Sequence, residues 1–338
     1  MNTIDCVFEL KNVITKLISG VDNQEVVSYE PVYGGGNNRS YKVVTKDNLY
    51  FLKHYFRDSI DTRNRLKTEY SFTSFAWELG IRCIAQPIAF DEKNSLGAYR
   101  YIDGRKLATN EIGKKEIKSA LEFLTILNDN KFSTEANLLP LASEACFSIK
   151  DHINLVDTRL NRLLEINGNP MDEEASYFVN KELLPEWVKI KNSILLETAE
   201  ILNDDLESSD RVLSPSDFGF HNALLNPKNQ LNFFDFEYAG WDDPAKLVCD
   251  FFSQPAIPVS MEYFEEFSDA ITKFTSDPRA TQSRIRVLLP LIKIKWCCIS
   301  LNCFAPFDKM RKVFASTITD EYRNEQLKKA RKILYAIH

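Results

Sequence analysis

The first hundred residues pass from a helical to a strand-like spacing of apolar side chains. Residues 5–19 carry apolar side chains near helical spacing, and Gly20 ends that run. Three β-rich runs follow at residues 26–33, 41–45 and 49–56, then a helical pattern at 61–79 and two short strand patterns at 86–90 and 97–102. This order predicts a small sheet accompanied by one helix.

Beyond residue 102 the pattern is mainly helical, with one hairpin. Helical spacing recurs at residues 111–130, 143–166, 179–204 and from about 259 onward, where Pro290 is expected to kink or divide a helix. The apolar runs 223–225 and 231–234 are joined by turn-forming residues and predict a β-hairpin. The expected fold class is α+β, with a β-rich domain at residues 1–102. A mainly helical domain at residues 103–338 would hold the hairpin region 211–244.

Composition narrows the class of protein. The chain has 338 residues, of which 44% are hydrophobic, enough for two sizeable cores. Its net charge is −6 and its basic residues form no run, so we expect no nucleic-acid partner. No stretch approaches the ~20 apolar residues of a membrane span, and the N-terminus lacks the pattern of a signal peptide. We therefore expect a soluble cytoplasmic protein with no membrane partner.

The seven cysteines show neither a metal-binding spacing nor a disulfide pattern. Cys297, Cys298 and Cys303 lie in an apolar helical stretch. They are expected to be buried free thiols, as in a reducing cytoplasm.

Oxygen-bearing side chains flank the predicted hairpin. Asn222 precedes its first strand, Asp235 follows its second, and Asp217 lies on the loop before both. Folding a hairpin brings its two open ends together, and amide and carboxylate oxygens are ligands that Mg²⁺ accepts alongside phosphate oxygens. The spacing therefore indicates a Mg²⁺ site formed by Asn222 and Asp235, with Asp217 facing the same phosphates.

The string S-D-F-G-F-H-N…F-D-F-E-Y-A-G-W-D-D-P-A around these residues resembles the aminoglycoside phosphotransferase/choline kinase family. Members usually show H-G-D-x-H-x-x-N and then D-x-E. The resemblance implies a two-lobed protein-kinase-like fold and transfer of the ATP γ-phosphate to a hydroxyl group. Asp217 would accept or orient the hydroxyl proton, while Asn222 and Asp235 would bind Mg²⁺.

The expected acceptor is a small molecule. Asp243-Pro244-Ala245 follows Asp235 within ten residues, which leaves no room for the activation loop of a protein kinase. The resemblance implies an aminoglycoside-, choline- or sugar-like acceptor.

A second register is possible because Asp217-Phe218-Gly219 spells D-F-G. With Asp217 as the metal ligand, the catalytic Asp would fall at Ala199 and its Asn partner at Asp204. Neither residue has the required side chain, so Asp235 is retained as the metal ligand.

A glycine run lies between the first two predicted strands. Gly34, Gly35 and Gly36 permit close approach of backbone amides to a ligand, although glycines between strands are more often a structural turn. With Asn38 they resemble the first hairpin of the family and would cover the phosphates of ATP.

Further nucleotide contacts are implied by the resemblance. Lys53 on the third strand would contact the α- and β-phosphates while paired with Glu69, for which Glu78 is the rival partner. Arg100 and Ile102, on the link between the domains, would offer main-chain groups to adenine. ATP and Mg²⁺ are therefore the implied cofactors.

The catalytic loop departs from the family pattern at three positions. Pro215 and Gly219 stand where the family has His, and Ser216 stands where it has Gly. His221 is interpreted as a structural loop residue. These departures leave open a weakened, nucleotide-binding pseudokinase that acts through partners.

Acidic residues outside the motif receive structural interpretations first. Asp242 and Asp243 are expected to brace the turn after the metal site, and Asp250 to cap a helix or hold the catalytic loop. One helix carries an acidic cluster of Glu262, Glu265, Glu266 and Asp269. This cluster is a solvated face, a site for a cationic acceptor, or the surface of a pure interaction protein.

Overall fold

The computed structural model describes residues 3–22, 24–33, 38–57, 63–166, 168, 170–305 and 319–337, and contacts group these residues into two units. Unit 1 consists of the described residues up to Lys106 together with Ala223–Glu237. Unit 2 consists of Leu107–Asn222 and the described residues from Tyr238 onward.

Unit 1 is built on an antiparallel five-stranded sheet. Its strands are β1 (Ser28–Val32), β2 (Arg39–Val44), β3 (Leu49–His54), β4 (Pro87–Asp91) and β5 (Leu96–Arg100), in the spatial order β1-β2-β3-β5-β4. Two helices accompany the sheet, α1 (Thr3–Asp22) and α2 (Arg65–Glu78). These elements follow the order that the apolar spacing predicts.

The two faces of β3 have different surroundings because successive strand residues point to opposite sides. Tyr50 and Leu52 join the apolar core that Ile14 and Ile18 of α1 also enter. Lys53 points to the other face, toward α2. Helix α2 begins after its N-cap Asn64, whose side chain accepts a hydrogen bond from the Lys67 N–H. The alternation therefore sends one charged side chain of β3 away from the apolar core.

The predicted hairpin forms, and it belongs to unit 1. Strands β7 (Ala223–Leu225) and β8 (Leu231–Phe233) pair so that Ala223 lies opposite Phe233. The Phe233 N–H donates to the Cys83 carbonyl at 2.7 Å, and Leu225 exchanges backbone hydrogen bonds with Arg105. The sequence pattern places the hairpin in the helical domain; these backbone contacts with the N-terminal part of the chain explain why it groups with the sheet.

Unit 2 is mainly helical. Its helices are α3 (Lys114–Asp129), α4 (Ile149–Leu163), α5 (Pro170–Phe178), α6 (Leu184–Glu197), α7 (Pro244–Ser253), α8 (Phe264–Thr272), α9 (Pro278–Leu301) and α10 (Asp320–Tyr335). A π-helical turn over Val179–Leu183 joins α5 to α6. Strands β6 (Val212–Ser214) and β9 (Gly240–Asp242) form a short antiparallel pair.

Helix α9 is the core helix of unit 2 and contacts α4, α7 and α10. It continues through Pro290, so the expected division there does not occur. Among the described residues, Pro278–Phe304 is long and apolar enough to cross a membrane by length and composition, which the sequence pattern does not predict. However, 61% of its most apolar window is buried inside the protein, as in a core helix.

The thiols behave as expected from their spacing. Six of the seven cysteines have described side chains, and all six are free. Cys297, Cys298 and Cys303 are buried, which confirms their prediction as buried free thiols.

Strand β6 is held by two buried polar side chains of the α3 region. The Asn128 side chain accepts from the Leu213 N–H at 2.8 Å and donates to the Leu213 carbonyl at 3.1 Å. The Lys131 ammonium donates to three carbonyls, those of Ser209, Arg211 and Phe274, at 2.7 to 2.9 Å. The segment that leads into the loop of Asp217 is therefore fixed by side chains as well as by strand pairing.

Substituting Asn128 by Ala is expected to lower the free energy of unfolding by about 2 kcal/mol, because backbone groups of buried Leu213 lose their partners. Urea denaturation measures the change. Asn130→Ala is the matched control, since Asn130 is only half-buried at the same helix end and its side chain donates only to the Ile126 carbonyl; it should change stability by less than about 0.5 kcal/mol. Equal effects of the two substitutions would contradict the anchoring role of Asn128.

Candidate active site

Lys53 of unit 1 lies among three carboxylates. Its ammonium is 2.7 Å from Glu69 Oε2 and 3.3 Å from Glu237 Oε2, and it also donates a hydrogen bond to Asp235 Oδ1. Lys53 is 6% exposed. The pairing with Glu69 is the one that the sequence implies, whereas the rival Glu78 lies exposed at the end of α2.

Glu69 has hydrogen-bond partners besides Lys53. The Tyr55 hydroxyl donates to Glu69 Oε2 at 2.7 Å and lies 2.9 Å from the Tyr99 hydroxyl. The Phe236 N–H donates to Glu69 Oε1 at 3.3 Å. The carboxylate is therefore fixed from β3, from the segment after β8 and through β5.

Burial and charge act in opposite directions on this group. Burial alone would lower the pKa of Lys53, but Asp235, Glu69 and Glu237 outweigh it and hold that pKa well above its usual value. Burial raises the pKa of Glu69 to about 7; Lys53 opposes this rise, while Asp235 and Glu237 add to it. The cluster thus carries more negative charge than one ammonium neutralises.

The three carboxylates can hold a cation. Oxygen atoms of Glu69, Asp235 and Glu237 lie within 4.8 Å of one another. Side-chain exposure is 35% for Asp235 but only 7% for Glu69 and 1% for Glu237, so Asp235 is the member that reaches solvent. A hard divalent cation that takes oxygen ligands fits this donor set.

Glu237 is a site residue within the D-F-E string that the sequence alone does not identify. Asn38 donates a hydrogen bond to Glu237 Oε2 and accepts one from the Phe56 N–H at 3.1 Å. The signal was the second acid of the D-x-E pattern, two residues after Asp235. Asn38 therefore supports a carboxylate, while Gly34, Gly35 and Gly36 lie outside the described residues.

The two residues expected near adenine differ in what they can offer. The Arg100 N–H donates to the Gln86 carbonyl at 2.8 Å, and its guanidinium donates to Asn48 at 2.6 Å. The N–H and the guanidinium of Arg100 thus both donate hydrogen bonds within unit 1. No hydrogen bond of the Ile102 N–H occurs within the described part of the chain, so Ile102 retains a donor that a ligand can use.

Asp217 lies in unit 2 on the loop after β6, with His221 and Asn222 beside it. His221 Nε2 is 3.1 Å from Asp217 Oδ1. Asn222 Nδ2 donates to the Asp217 backbone carbonyl at 3.0 Å and to its Oδ2 at 3.4 Å. The Asp217 side chain remains 34% exposed. The structure therefore brings Asp217 and Asn222 together and adds His221 as a direct partner of Asp217.

The loop backbone around Asp217 is tightly constrained. Ser216 has φ of +66°, and the Asp217 N–H donates to the Pro215 carbonyl at 3.0 Å across it. Phe218 stacks on Phe123 and Phe251 at 5.6 Å between ring centroids, so the residue after Asp217 is anchored in the unit 2 core. The sequence departures at 215 and 216 therefore occur in an ordered turn.

Buried ion pairs lie behind this loop, where bracing acids were expected. The Lys246 ammonium donates a hydrogen bond to Asp242 Oδ2 at 2.5 Å and lies 3.4 Å from Asp250 Oδ2. Asp250 also accepts from Lys295 and Trp296, each at 2.8 Å. The interior of α7 thus places Asp250 in a network with Lys246, whose ammonium is 3.5 Å from the Ser216 hydroxyl.

Asp243 caps α7 and links it to two other helices. Its Oδ1 accepts from the Ala245 N–H at 2.7 Å. Its Oδ2 lies 2.8 Å from Arg284 Nε of α9 and 3.1 Å from His152 Nε2 of α4. Burial opposes ionisation, but Arg284 and His152 outweigh it and hold the pKa of Asp243 below its usual value. Asp243 is therefore a structural anchor.

Comparison with known proteins places the chain among kinases of small molecules. The sequence model of the phosphotransferase enzyme family matches residues 28–271. No curated protein sequence matches the chain.

Solved structures similar to the chain have the same protein-kinase-like fold. The choline kinase of Streptococcus pneumoniae is 17% identical, with 97% of this chain and 99% of that chain covered and a TM-score of 0.59. Spectinomycin phosphotransferase is 13% identical, with 96% and 98% covered and a TM-score of 0.64. Plasmodium vivax ethanolamine kinase is 16% identical, with 100% and 91% covered and a TM-score of 0.59. At these identities the likeness shows the fold: a small antiparallel sheet and a larger helical part.

The raised pKa of Glu69 predicts a pH-dependent cost in stability. Burying protonated Glu69 costs less free energy than burying its anion. The contribution of the protonated side chain to the free energy of unfolding is therefore fully present below about pH 4.5 and is lost as the pH rises through about 7. The difference in unfolding free energy between wild type and Glu69→Gln should therefore shift against the wild type over this range. Urea denaturation in EDTA at several pH values measures it.

Glu78→Gln, on the exposed end of the same helix, is the matched control and should show a pH-independent difference. A flat difference for Glu69→Gln as well would show that Glu69 does not change protonation on folding.

Proposed function

The chain belongs to the phosphotransferase enzyme family and is an ATP-dependent small-molecule kinase, and we propose that it moves the γ-phosphate to a hydroxyl group of its acceptor with Mg²⁺ as cofactor. The observation that carries this proposal is Lys53, buried and paired with Glu69. Phosphoryl transfer depends mainly on positioning and on charge stabilisation, and such a lysine contacts the α- and β-phosphates in kinases. We assign that role to Lys53.

Asp217 is assigned to the acceptor hydroxyl. Its carboxylate is held by His221 and Asn222 yet remains partly exposed, so a hydroxyl group can reach it. In kinases the corresponding Asp accepts the proton of the attacking hydroxyl. Pro215 and Ser216, which suggested a pseudokinase, lie in a turn that still presents Asp217, and this favours the active enzyme.

Asn222 and Asp235 are assigned as Mg²⁺ ligands. The Asn222 amide nitrogen is engaged by Asp217, which leaves Oδ1, the atom suited to a cation, without a hydrogen bond among the described residues. Asp235 carries the most exposed carboxylate of its cluster. When bound, Mg²⁺ would neutralise charge on the phosphate oxygens. Glu237, held by Asn38, would keep Lys53 oriented beside Asp235.

The remaining nucleotide contacts follow the family resemblance. Gly34, Gly35 and Gly36 would cover the phosphates with their backbone amides. Ile102 would donate its N–H to adenine, whereas Arg100 would support the strand that carries it.

The acceptor is proposed to be aminoglycoside-, choline- or sugar-like. Glu262, in the turn before α8, and Glu265 and Glu266, at its start, are exposed, as a solvated face requires. Such a face also attracts a cationic acceptor. The release of ADP is measured with each member of a panel of metabolites; this assay tests the activity and identifies the acceptor. We further propose a cytoplasmic location, in keeping with the free thiols.

Substituting Asp217 by Asn should lower kcat at least about 100-fold, because the side chain can no longer accept the hydroxyl proton. The dissociation constant for Mg·ATP should stay within about twofold, since Asp217 is assigned to the acceptor and not to the nucleotide or the metal. Steady-state kinetics and calorimetric titration measure the two quantities. Asp205→Asn, exposed and before β6, is the matched control and should keep wild-type kcat. Normal turnover in Asp217→Asn would remove Asp217 from the mechanism.

Substituting Asp235 by Ala should weaken Mg·ATP binding at least about 10-fold, because a ligand of the bridging cation is lost. In wild type, EDTA should weaken nucleotide binding to a similar degree, whereas in Asp235→Ala it should have little further effect. Calorimetric titration with and without EDTA measures both. Wild-type affinity in the variant would contradict the metal assignment.

A further inference from the structure

The sequence predicts His221 to be a structural loop residue, yet its ring contacts the carboxylate assigned to the acceptor. His221 Nε2 lies 3.1 Å from Asp217 Oδ1, and the ring is only 17% exposed. An ionised carboxylate accepts hydrogen bonds and donates none. Nε2 is therefore the protonated nitrogen of the His221 ring, and it donates a hydrogen bond to Asp217.

Gly219 provides the space in which this ring sits. A Cβ atom at position 219 would lie 2.8 Å from His221 Nδ1, closer than real Cβ atoms approach other atoms, and would make tight contacts with His221 Cε1 at 3.0 Å and Gln254 Cγ at 3.3 Å. The neighbouring residues Phe218 and Phe220 are buried against Phe251, so the loop backbone cannot move aside without disturbing the core. The ring of His221 thus occupies the volume that a side chain at 219 would need.

We propose that His221 is the positioning residue of Asp217, seated over Gly219, and that it supplies from position 221 the imidazole that the family pattern carries at 219. This inference rests on the proposed function, since it gives Asp217 the acceptor hydroxyl. The other donor to the carboxylate, Asn222 Nδ2, is at 3.4 Å and is shared with a backbone carbonyl. His221 is therefore the closer of the two groups that restrict rotation of the Asp217 side chain.

The first test separates orientation from binding. His221→Ala should lower kcat between about 10- and 100-fold, because a misoriented reacting group loses much of its effective concentration. The KM for ATP should remain within about twofold. His221→Gln, whose amide nitrogen can donate to the same oxygen, should recover at least part of the lost kcat. A merely structural role would instead change kcat and KM together, with no rescue by Gln.

The second test uses the shared volume. Gly219→Ala should displace the ring and lower kcat to about the level of His221→Ala. The double variant Gly219→Ala/His221→Ala should be no slower than His221→Ala alone, because the clash disappears with the ring. Gly20→Ala is the matched control, since a Cβ there meets nothing within 4 Å, and it should turn over normally. Fully additive losses in the double variant would overturn the proposal.

Failure of the inference and failure of the proposed function are distinguishable with Asp217→Asn measured alongside. If Asp217→Asn is inactive while His221→Ala and His221→Gln turn over normally, only the role of His221 is overturned. If Asp217→Asn itself is fully active, the proposed function falls and the positioning role falls with it. Thermal melting of each variant identifies any loss that comes from unfolding.

Discussion

The buried ammonium group of Lys53 holds together the cluster of charged side chains in unit 1. Three carboxylates surround it, which is more than one ammonium can neutralise when all are ionised. Burying paired charges costs desolvation energy that their attraction offsets only when the geometry is good. Burial, and after it the neighbouring charges of Asp235 and Glu237, raise the pKa of Glu69. The surplus of carboxylates makes the cluster attractive to a further cation. A site of this kind is suited to ligand binding more than to stability alone.

Much of this arrangement could be predicted from the sequence because its signals are local. The order of strand, glycine run, two strands and helix identified Lys53 and Glu69, and the turn-rich link identified the hairpin before Asp235. The unit in which the hairpin packs could not be predicted, because it depends on hydrogen bonds from Phe233 to Cys83 and between Leu225 and Arg105. Such long-range backbone pairs leave no periodic mark in the chain.

The overlooked residues share a physical reason. Glu237 follows Asp235 by two positions, and its importance depends on Lys53 and Asn38, which are distant in sequence. His221 was assigned a structural role because it falls two residues after the family's usual histidine. Its position over Gly219 and beside Asp217 arises only in the folded chain. A motif records the spacing of residues, whereas the site depends on which atoms share a volume.

The same distinction explains the departure at Ser216. The family pattern has glycine there, and Ser216 has φ of +66°, a conformation that glycine adopts readily but that costs other residues energy. The turn persists because the Ser216 N–H donates to the Ser214 hydroxyl, the Asp217 N–H donates to Pro215, and Phe218 is fixed in the core. Ser216 therefore holds a conformation typical of glycine at a cost in local strain. Asp235, with φ of +71° and its carboxylate bound to Lys53, shows the same relation between backbone strain and a placed carboxylate.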